Sequence, residues 1–317
     1  MRRYMVRRLA QAAGVLWAAY TVSFLVLDFL PGDPVSAMAA GGLQTGQVDQ
    51  AQLAALQHQY GFDQPVLLQY GEYLGRAVRG DFGDSVTTGR PVAATIAAAL
   101  PQTFQLTGAA ILLAVLIGGG LAVVATITRL RWLRQVLLSL SPLAISVPAF
   151  WVGLVLVQLL SFRARIFPAF GDNGVRGLVL PAVTLALPAG ALIAQVLGKS
   201  LLSTLNEAYV ETARAKGAGR VRVHLRHALP NAALPALTVV GLLVGQLLAN
   251  AVVVETVFAR NGLGRVIATA VTVQDLPVVQ GVVVFGALVF VLVNLFVDLV
   301  YPLLDRRIVV GGRRGLA

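Results

Sequence analysis

Residues 204–231 read TLNEAYVETARAKGAGRVRVHLRHALPN and form the one long polar, basic interruption in the second half of an otherwise apolar chain. Thr204 and Glu207 have the spacing of a capping box, in which two side chains satisfy backbone N–H groups at the start of a helix. Glu211 suits the N-terminal half of that helix, and Gly217 is a natural stop. The stretch therefore predicts a short charged helix between two apolar segments. Such a helix is either a docking element for another protein or part of an ordinary basic loop.

The composition around this stretch is that of a membrane protein. Of the 317 residues, 57% are hydrophobic and 12% are charged, and the mean hydropathy is +0.78, which leaves too little polar surface for a soluble globule. The net charge of +11 does not indicate nucleic-acid binding, because the arginines lie at the ends of apolar runs rather than along a soluble face. The sequence contains no cysteine, which excludes disulfides and thiolate metal sites and leaves the redox compartment open.

Six apolar runs are long enough to cross a bilayer, which takes about 20 residues per helix. They cover residues 9–30, 104–128, 133–161, 178–198, 233–256 and 279–304. The first run is too long for the core of a signal peptide, so we interpret it as a retained span. Prolines predict kinks in the third and fourth spans, at Pro142, Pro148, Pro181 and Pro188.

Charge asymmetry predicts the orientation of the spans. Seventeen of the 25 Lys and Arg residues fall on the side that holds both termini and the 199–227 loop, and eight fall on the other side. The positive-inside rule therefore predicts that both termini are cytoplasmic. The expected organisation is a cytoplasmic N-terminus with the first span (1–30), an extracytoplasmic lobe (31–101), the other five spans with the cytoplasmic loop 199–230 (102–308), and a cytoplasmic tail (309–317).

The lobe at 31–101 is too long for a plain connection between two helices and is expected to pack as a small element of its own. Within it, residues 49–61 have the apolar spacing of a helix, and residues 80–84 predict a turn. The lobe is either a passive connector or a dock for an extracytoplasmic partner. In the second case the candidate contacts are Asp63, Asp81 and Asp84.

The sequence predicts no catalytic residue and no metal site. Gly198, Lys199 and Ser200 match the end of a phosphate-binding loop, but the glycine required five positions earlier is Ile193. The histidines have no acidic residue or third histidine at ligand spacing, so a metal site is not expected; they are His58, His224 and His227.

Ionisable residues inside the spans are few. Glu255 and Asn250 lie near one end of the fifth span, and Asp298 follows Asn294 by one turn in the sixth. A proton relay would need more such groups at mid-membrane depth, so we interpret these residues as partners in hydrogen bonds between helices. The same scarcity argues against a secondary transporter, which also needs inverted repeats, and against a membrane-embedded enzyme, which needs a convergent catalytic set.

The basic stretch also carries a family pattern. Glu211-x-Ala213-x-x-x-Gly217, followed by Leu229-Pro230, resembles the cytoplasmic loop in the membrane subunits of binding-protein-dependent ABC importers. More narrowly, it is similar to the B-type permease subunit of the dipeptide/oligopeptide (peptide/nickel) family. The similarity keeps its order along the chain, through YVETARAKG (209–217), RHALPNAALP (226–235), LPGDPV (30–35), GDFGDS (80–85), VPAFWVG (147–153), DLPVVQG (275–281) and NLFVDLVYPLLDRRI (294–308).

The resemblance implies a fold and a role. The expected fold is an all-α polytopic membrane protein with six transmembrane helices of the type I ABC importer permease fold and a small extracytoplasmic lobe between helices 1 and 2. The chain would form the translocation pathway for di- or oligopeptides delivered by an extracytoplasmic binding protein. Nickel chelates, glutathione and oligosaccharides are alternative cargos for the same machinery.

The resemblance also implies partners and contact residues. The expected partners are a second homologous permease subunit, two ATP-binding subunits or domains, the binding protein and the lipid bilayer of a prokaryotic plasma membrane. The chain itself would bind no cofactor and catalyse no reaction, because ATP and Mg would be bound by the ATPase subunits. Coupling to the ATPase would use Glu207, Tyr209, Glu211, Ala213, Arg214, Lys216 and Gly217.

Overall fold

The computed structural model describes residues 2–28 and 64–304, and within them the regular structure is helical, as expected for an all-α protein. In chain order the helices are α1 (Arg2–Asp28), α2 (Val66–Val78), α3 (Val92–Ile127), α4 (Arg131–Ser146), α5 (Ala149–Arg163), α6 (Gly174–Thr204), α7 (Ala208–Ala215), α8 (Arg220–Val257), α9 (Leu263–Thr272) and α10 (Leu276–Leu304). Two of them contain a π-helical segment, α5 at Val157–Arg163 and α8 at Val223–Ala228. The helix expected at 49–61 lies outside the described residues.

Five of these helices, namely α1, α3, α6, α8 and α10, are long and apolar enough to cross a membrane. Helices α4 and α5 pass the same test only as a pair, and they are bent by 102° at a short break. Pro148 follows Val147 there, and a residue before proline is driven out of the helical conformation, as the ψ of 127° at Val147 shows. The described residues therefore hold six spans if the bent pair is one span. The kink expected in the third span is confirmed, whereas α6 continues as one helix through Pro181 and Pro188.

The chain divides into two compact units, one formed by Met1–Gln102 with Asn261–Leu292 and the other by Thr103–Arg260 with Val293–Ala317. In the first unit, a buried apolar cluster joins the start of α3 to α9 and the start of α10, and its members are Val92, Ile96, Ala270, Val278, Val279 and Val282. Also in this unit, Phe24 of α1 meets Tyr70 of α2 edge-on, with ring centroids 5.4 Å apart. The Tyr70 hydroxyl lies 2.8 Å from Thr21 Oγ1, which fixes α2 against α1.

The second unit has a larger core, built from α3, α5, α6 and α8. Small residues let two of these helices approach closely: a Cβ atom on Gly118 of α3 would collide with the carbonyl of Gly190 on α6. A side chain at either position would force the helices apart, which is the usual reason for glycine at such contacts. The close approach expected at residues 118–120 is thus confirmed at the first of the three glycines.

Two buried charged groups in the second unit, Glu255 and Arg260, have partners on neighbouring segments. Glu255 is fully buried and accepts a 2.7 Å hydrogen bond from Thr103 Oγ1, which confirms its expected use between helices. Arg260, at the end of α8, is 2% exposed, donates to the Gly177 carbonyl at 3.3 Å and lies 3.6 Å from the Asp172 carboxylate. Such partners are needed because an unpaired buried charge is strongly destabilising.

Candidate functional site

The short helix α7 begins later than the sequence predicted. Its N-cap is Glu207, which makes no side-chain cap hydrogen bond, so the predicted capping box is wrong. Thr204 is instead the last residue of α6, and the Glu207 N–H donates to the Thr204 carbonyl at 3.1 Å. The physical reason is burial: the final turn of α6 continues far enough to place Leu201 and Leu205 in an apolar cluster.

The end of α7 agrees with the sequence prediction. Gly217 has φ +81°, the left-handed conformation that only glycine adopts without strain. Its N–H donates to the Arg214 carbonyl at 2.9 Å, and the next N–H, of Ala218, donates to the Ala213 carbonyl at 3.1 Å. These two bonds form a Schellman motif, which satisfies carbonyls that the end of a helix leaves open.

One buried residue holds α7 in place within the second unit. Val210 is fully buried and belongs to an apolar cluster with Val223 of α8 and Leu205. The seven residues predicted to contact a partner all lie within 207–217, and of these Ala213 is half-buried while the others are exposed: Glu207, Tyr209, Glu211, Arg214, Lys216 and Gly217. The segment 207–217, named the α7 surface below, therefore presents charged side chains outward while its backbone is fixed.

The charged side chains of α7 are distributed by sign, with an acidic residue near its N-terminus and a basic residue near its C-terminus. Glu211 lies in its first turn and Arg214 in its last, so each side chain complements the helix dipole at its own end. Tyr209 is 43% exposed, and its hydroxyl accepts a 2.9 Å hydrogen bond from Asn231 Nδ2 of α8. This bond, which the sequence did not reveal, limits the directions in which the Tyr209 ring can point.

His224 fixes the start of α8 to the end of α3 and was not recognised from the sequence. It is 3% exposed, with Nδ1 2.9 Å from the Arg220 carbonyl and Nε2 3.1 Å from the Thr126 carbonyl. Arg220 belongs to the same helix as His224, whereas Thr126 belongs to α3, so the contact made by Nε2 is the one that joins the two helices. A ring N–H at Nε2 donates to the Thr126 carbonyl.

Arg220 adds a second link to the same helix end. Its guanidinium Nη2 donates to the Thr128 carbonyl at 3.1 Å and lies 3.5 Å from the Thr126 carbonyl. Carbonyls at a helix C-terminus lack partners within the helix, so a side-chain donor there stabilises the end. Beside these groups lies a cavity of about 540 Å³ whose lining includes Arg134 and Arg214 and, among the residues that the structure describes, no acidic side chain. This recess suits negatively charged groups.

The second set of predicted contacts lies in the first unit. Asp63 is outside the described residues, and Asp81 and Asp84 are exposed in one loop. The Asp81 carboxylate accepts the Gly83 N–H at 2.9 Å and a 3.1 Å bond from Arg76 Nε. The Gly83 N–H, followed by Arg76, lowers the pKa of Asp81 below its usual range. Asp81 therefore stabilises the predicted turn at 80–84.

The same loop is fastened by Asp275, a residue that the sequence did not identify as important. Asp275 is 2% exposed and accepts hydrogen bonds from Ser85 Oγ at 2.6 Å and Thr87 Oγ1 at 2.8 Å. It also accepts the backbone N–H groups of Val86 and Thr87, each at 3.3 Å, and that of Val278 at 3.4 Å. The last bond caps the start of α10, and an aspartate directly before an apolar run is a sequence signal for such a cap.

Comparison with known proteins finds similarity along nearly the whole chain. The family model described as "Binding-protein-dependent transport system inner membrane component" matches residues 110–310, and the model of the corresponding N-terminal part matches residues 1–107. The glutathione transport system permease protein GsiC of Escherichia coli is 35% identical over 305 residues, which cover 96% of this chain and 98% of that protein. The protein of the same name from Salmonella typhi matches with the same identity and coverage.

Two solved structures resemble the fold. An inward-facing MetNI methionine ABC transporter aligns with a TM-score of 0.58 at 17% identity, covering 67% of this chain and 96% of that chain. An amino acid ABC transporter aligns with a TM-score of 0.51 at 17% identity, covering 68% of this chain and 94% of the other. The arrangement of helices is therefore that of an ABC importer membrane subunit.

Proposed function

This chain belongs to the family of binding-protein-dependent transport system inner membrane components, and from that membership we propose how its polar regions serve transport. It is a multi-pass inner membrane protein with the type I importer fold and is the permease subunit of an ABC importer. Proteins of this family work with ATP-hydrolysing and substrate-binding partners. The proposal concerns which surfaces meet those partners and what passes through.

The α7 surface is the proposed contact for the ATPase partner. The observation that carries this assignment is the combination of a fixed backbone with outward-facing charges: Val210 is fully buried, whereas Glu211 and Arg214 on the same helix are exposed. A rigid element of this kind can pass a displacement from a partner into the helices that it packs against. His224 and Arg220 supply the link, because both contact the end of α3. ATP-driven movement of the partner would then bias the permease between two arrangements.

The same proposal covers the other subunits of the complex and the orientation of this chain in the membrane. Two ATP-binding subunits or domains carry ATP and Mg, a second homologous permease subunit completes the pathway, and both termini lie in the cytoplasm. Under this orientation the α7 surface is cytoplasmic, and the loop that contains Asp81 and Asp84 is extracytoplasmic, where it could meet the binding protein. The excess of Lys and Arg on the α7 side supports the orientation.

The proposed cargo is a short peptide that carries a free carboxylate, with glutathione, itself a tripeptide, as the specific alternative. The alternative is favoured by relatives that are named for glutathione transport and are 35% identical over nearly the whole chain. The test is uptake by the complex with its own partner subunits in proteoliposomes. Radiolabelled Ala-Phe and glutathione would be supplied in turn with the binding protein. ATP-dependent accumulation is expected, and accumulation without ATP would indicate a secondary transporter instead.

A second experiment tests the role of the α7 surface. Glu211→Lys reverses an exposed charge in the first turn of α7 and is expected to weaken association of the ATPase subunits about ten-fold, because it reverses the charge that the α7 surface offers to its partner at this point. Glu72→Lys is the matched control, since Glu72 is also an exposed glutamate on a helix but belongs to α2. Equal association in both variants would remove α7 from the proposed interface.

A further inference from the structure

We propose that the second unit contains a carboxylate-binding cavity between the end of α5 and the start of α6, occupied during transport by the carboxylate of the solute. The cavity has a volume of about 480 Å³. Its polar lining consists of Ser161, Arg165, Asn173 and Arg176, and the rest of the lining is mainly apolar and includes Phe162 and Phe167. The inference rests on the proposed function, in which residues 162–177 face the side from which solute arrives.

The positive charge of the cavity lining indicates an anionic ligand. Arg165 and Arg176 both line the cavity, and none of the described residues that line it is acidic. Within the described part of the chain neither arginine forms an ion pair, whereas Arg76 pairs with Asp81 and Arg260 with Asp172. A guanidinium group binds a carboxylate through two parallel hydrogen bonds. Because the lining holds two guanidinium groups without an ion-pair partner among the described residues, we expect the ligand to be a carboxylate.

The backbone at Arg165 supports a role for its side chain. Arg165 has φ +53° directly after the π-helical end of α5, a position at which chains commonly place glycine. The turn is closed by backbone bonds from Ala164 to Leu159 and from Ile166 to Leu160, each 2.9 Å long, and neither needs an arginine. A non-glycine residue in the left-handed region is strained, and such strain is concentrated at functional sites. π-helical segments are frequent at functional sites as well.

The buried hydroxyl of Ser161 gives an independent indication. Ser161 lines the cavity, and its Oγ is buried without a hydrogen-bond partner among the described residues. A buried hydroxyl without a partner is unfavourable, and a carboxylate oxygen would accept a hydrogen bond from it. The site thus joins one hydroxyl donor to two guanidinium groups.

The size and lining of the cavity favour a small solute over a protein surface. A volume of about 480 Å³ falls within the range of roughly 300–1,000 Å³ typical of small-molecule sites. Aromatic side chains beside a few polar groups are also typical of such sites, and Phe162 and Phe167 both line this cavity. A short peptide with an apolar C-terminal residue would place its carboxylate on the arginines and its side chain on this apolar lining.

The decisive variant is Arg165→Gly, because glycine adopts φ +53° without strain and the substitution removes only the side chain. The full complex in lipid nanodiscs would be titrated with the dipeptide Ala-Phe, followed by saturation-transfer NMR, and then with Ala-Phe amide. Binding of Ala-Phe is expected to weaken about ten-fold or more in Arg165→Gly, since charge-assisted hydrogen bonds are lost, and to recover partly in Arg165→Lys.

Arg163→Gln is the control, since Arg163 is exposed at the same end of α5 but does not line the cavity. Its affinity for Ala-Phe is expected to equal that of the unaltered complex. Undiminished binding in Arg165→Gly, or equal affinity for the dipeptide and its amide, would overturn the proposal.

An uptake measurement then identifies the source of the carboxylate. With increasing amounts of loaded binding protein, Arg165→Gly should lower the maximal rate and leave the half-saturating concentration of binding protein unchanged. If the half-saturating concentration rises at an unchanged maximal rate, the arginine meets an acidic group of the binding protein, and the proposal is wrong. Absence of ATP-dependent uptake by the unaltered complex, with dipeptide binding intact, would count against the proposed function and leave the cavity assignment standing.

Discussion

The loop at 85–88 and the segment at 207–228 are both polar, yet they are held in opposite ways. In the loop, side chains and backbone converge on a single carboxylate: Asp275 is 2% exposed and accepts five hydrogen bonds. In the segment, the hold is distributed, with His224 and Arg220 bound to backbone carbonyls and Gly217 closing a helix end. The exposed charges of α7 take no part in it.

The difference distinguishes fastening, in which a residue fixes the backbone of a loop, from recognition, in which exposed side chains are left available to bind a partner. A carboxylate that is buried and fully occupied, like Asp275, has no capacity left for a partner, so its role is to fix the loop that precedes α3. Contacts made through backbone carbonyls, in contrast, leave the side chains of α7 available. We therefore expect substitutions at Asp275 to act on folding and substitutions in the segment 207–228 to act mainly on the coupling of ATP hydrolysis to uptake.

Asp275→Ala should have the largest effect on stability. It leaves the hydroxyls of Ser85 and Thr87 without their acceptor and removes the cap of α10, so a loss of about 3–5 kcal/mol is expected from the donors left unpaired and the lost cap together. Thermal unfolding of the purified protein in detergent measures the change. Thr88→Ala is the matched control, because the Thr88 hydroxyl is exposed in the same loop and bonds only locally. Similar melting temperatures for the two variants would contradict the fastening role.

Gly217→Pro should have the next largest effect. We expect it to reduce the coupling of ATP hydrolysis to uptake and to leave insertion of the protein into the membrane unchanged. Proline fixes φ near −65°, whereas Gly217 has φ +81°, and it removes the N–H that bonds to Arg214. We expect about 3 kcal/mol of local destabilisation at the end of α7. ATP hydrolysis should continue while uptake per ATP falls at least ten-fold in the reconstituted complex. Undiminished uptake would remove α7 from the coupling route.

A paired alanine scan isolates the conformational part of that effect. Gly217→Ala should cost about 1–2 kcal/mol because of its left-handed backbone. Gly219→Ala should cost far less, since Gly219 has φ −64° and open space around the added Cβ. A larger loss of coupling at position 219 than at position 217 would contradict this account.

His224→Leu should have a smaller effect, because Arg220 still contacts the same end of α3. The leucine keeps the buried volume and removes the hydrogen bond from Nε2 to the Thr126 carbonyl, which is expected to cost about 1–2 kcal/mol. The melting temperature and the ratio of uptake to ATP hydrolysis should both decrease. His227→Leu is the control: His227 is half-buried in the same π-helical segment, and no hydrogen bond from its ring is found among the described residues. If the two variants behave alike, His224 has no special role in the link.

These residues also show what sequence reasoning could and could not supply. The spans were predictable because bilayer thickness imposes a long apolar run, and Gly217 was predictable because its φ is a local requirement. The capping box failed because burial of Leu201 and Leu205 keeps Thr204 in the last turn of α6, a tertiary effect that local spacing does not contain. Asp275 and His224 were missed since their partners lie up to 190 and 98 residues away, respectively. The α7 surface was predictable as a segment, and the contacts that hold it were not.

The smallest effect, and the sharpest contrast with Asp275, is expected at Asp81. This carboxylate is exposed, and its pKa is lowered by the Gly83 N–H and by Arg76. A lowered folded-state pKa means that the ionised form stabilises the turn above the unfolded value of about 3.9, and that this contribution is lost as the pH falls toward the lower folded value.

Hydrogen exchange at the Gly83 amide, corrected for the intrinsic rate, should therefore show constant protection from pH 7 to about 4.5 and reduced protection below about pH 4. Asp81→Asn should remove this dependence, while Asp84→Asn should keep it. In neither variant should the melting temperature approach that of Asp275→Ala, because solvent screens an exposed pair and competes for its hydrogen bonds. A melting temperature as low in Asp81→Asn as in Asp275→Ala would show that exposed and buried carboxylates fasten this loop equally, and the distinction between fastening and recognition would then fail in the first unit.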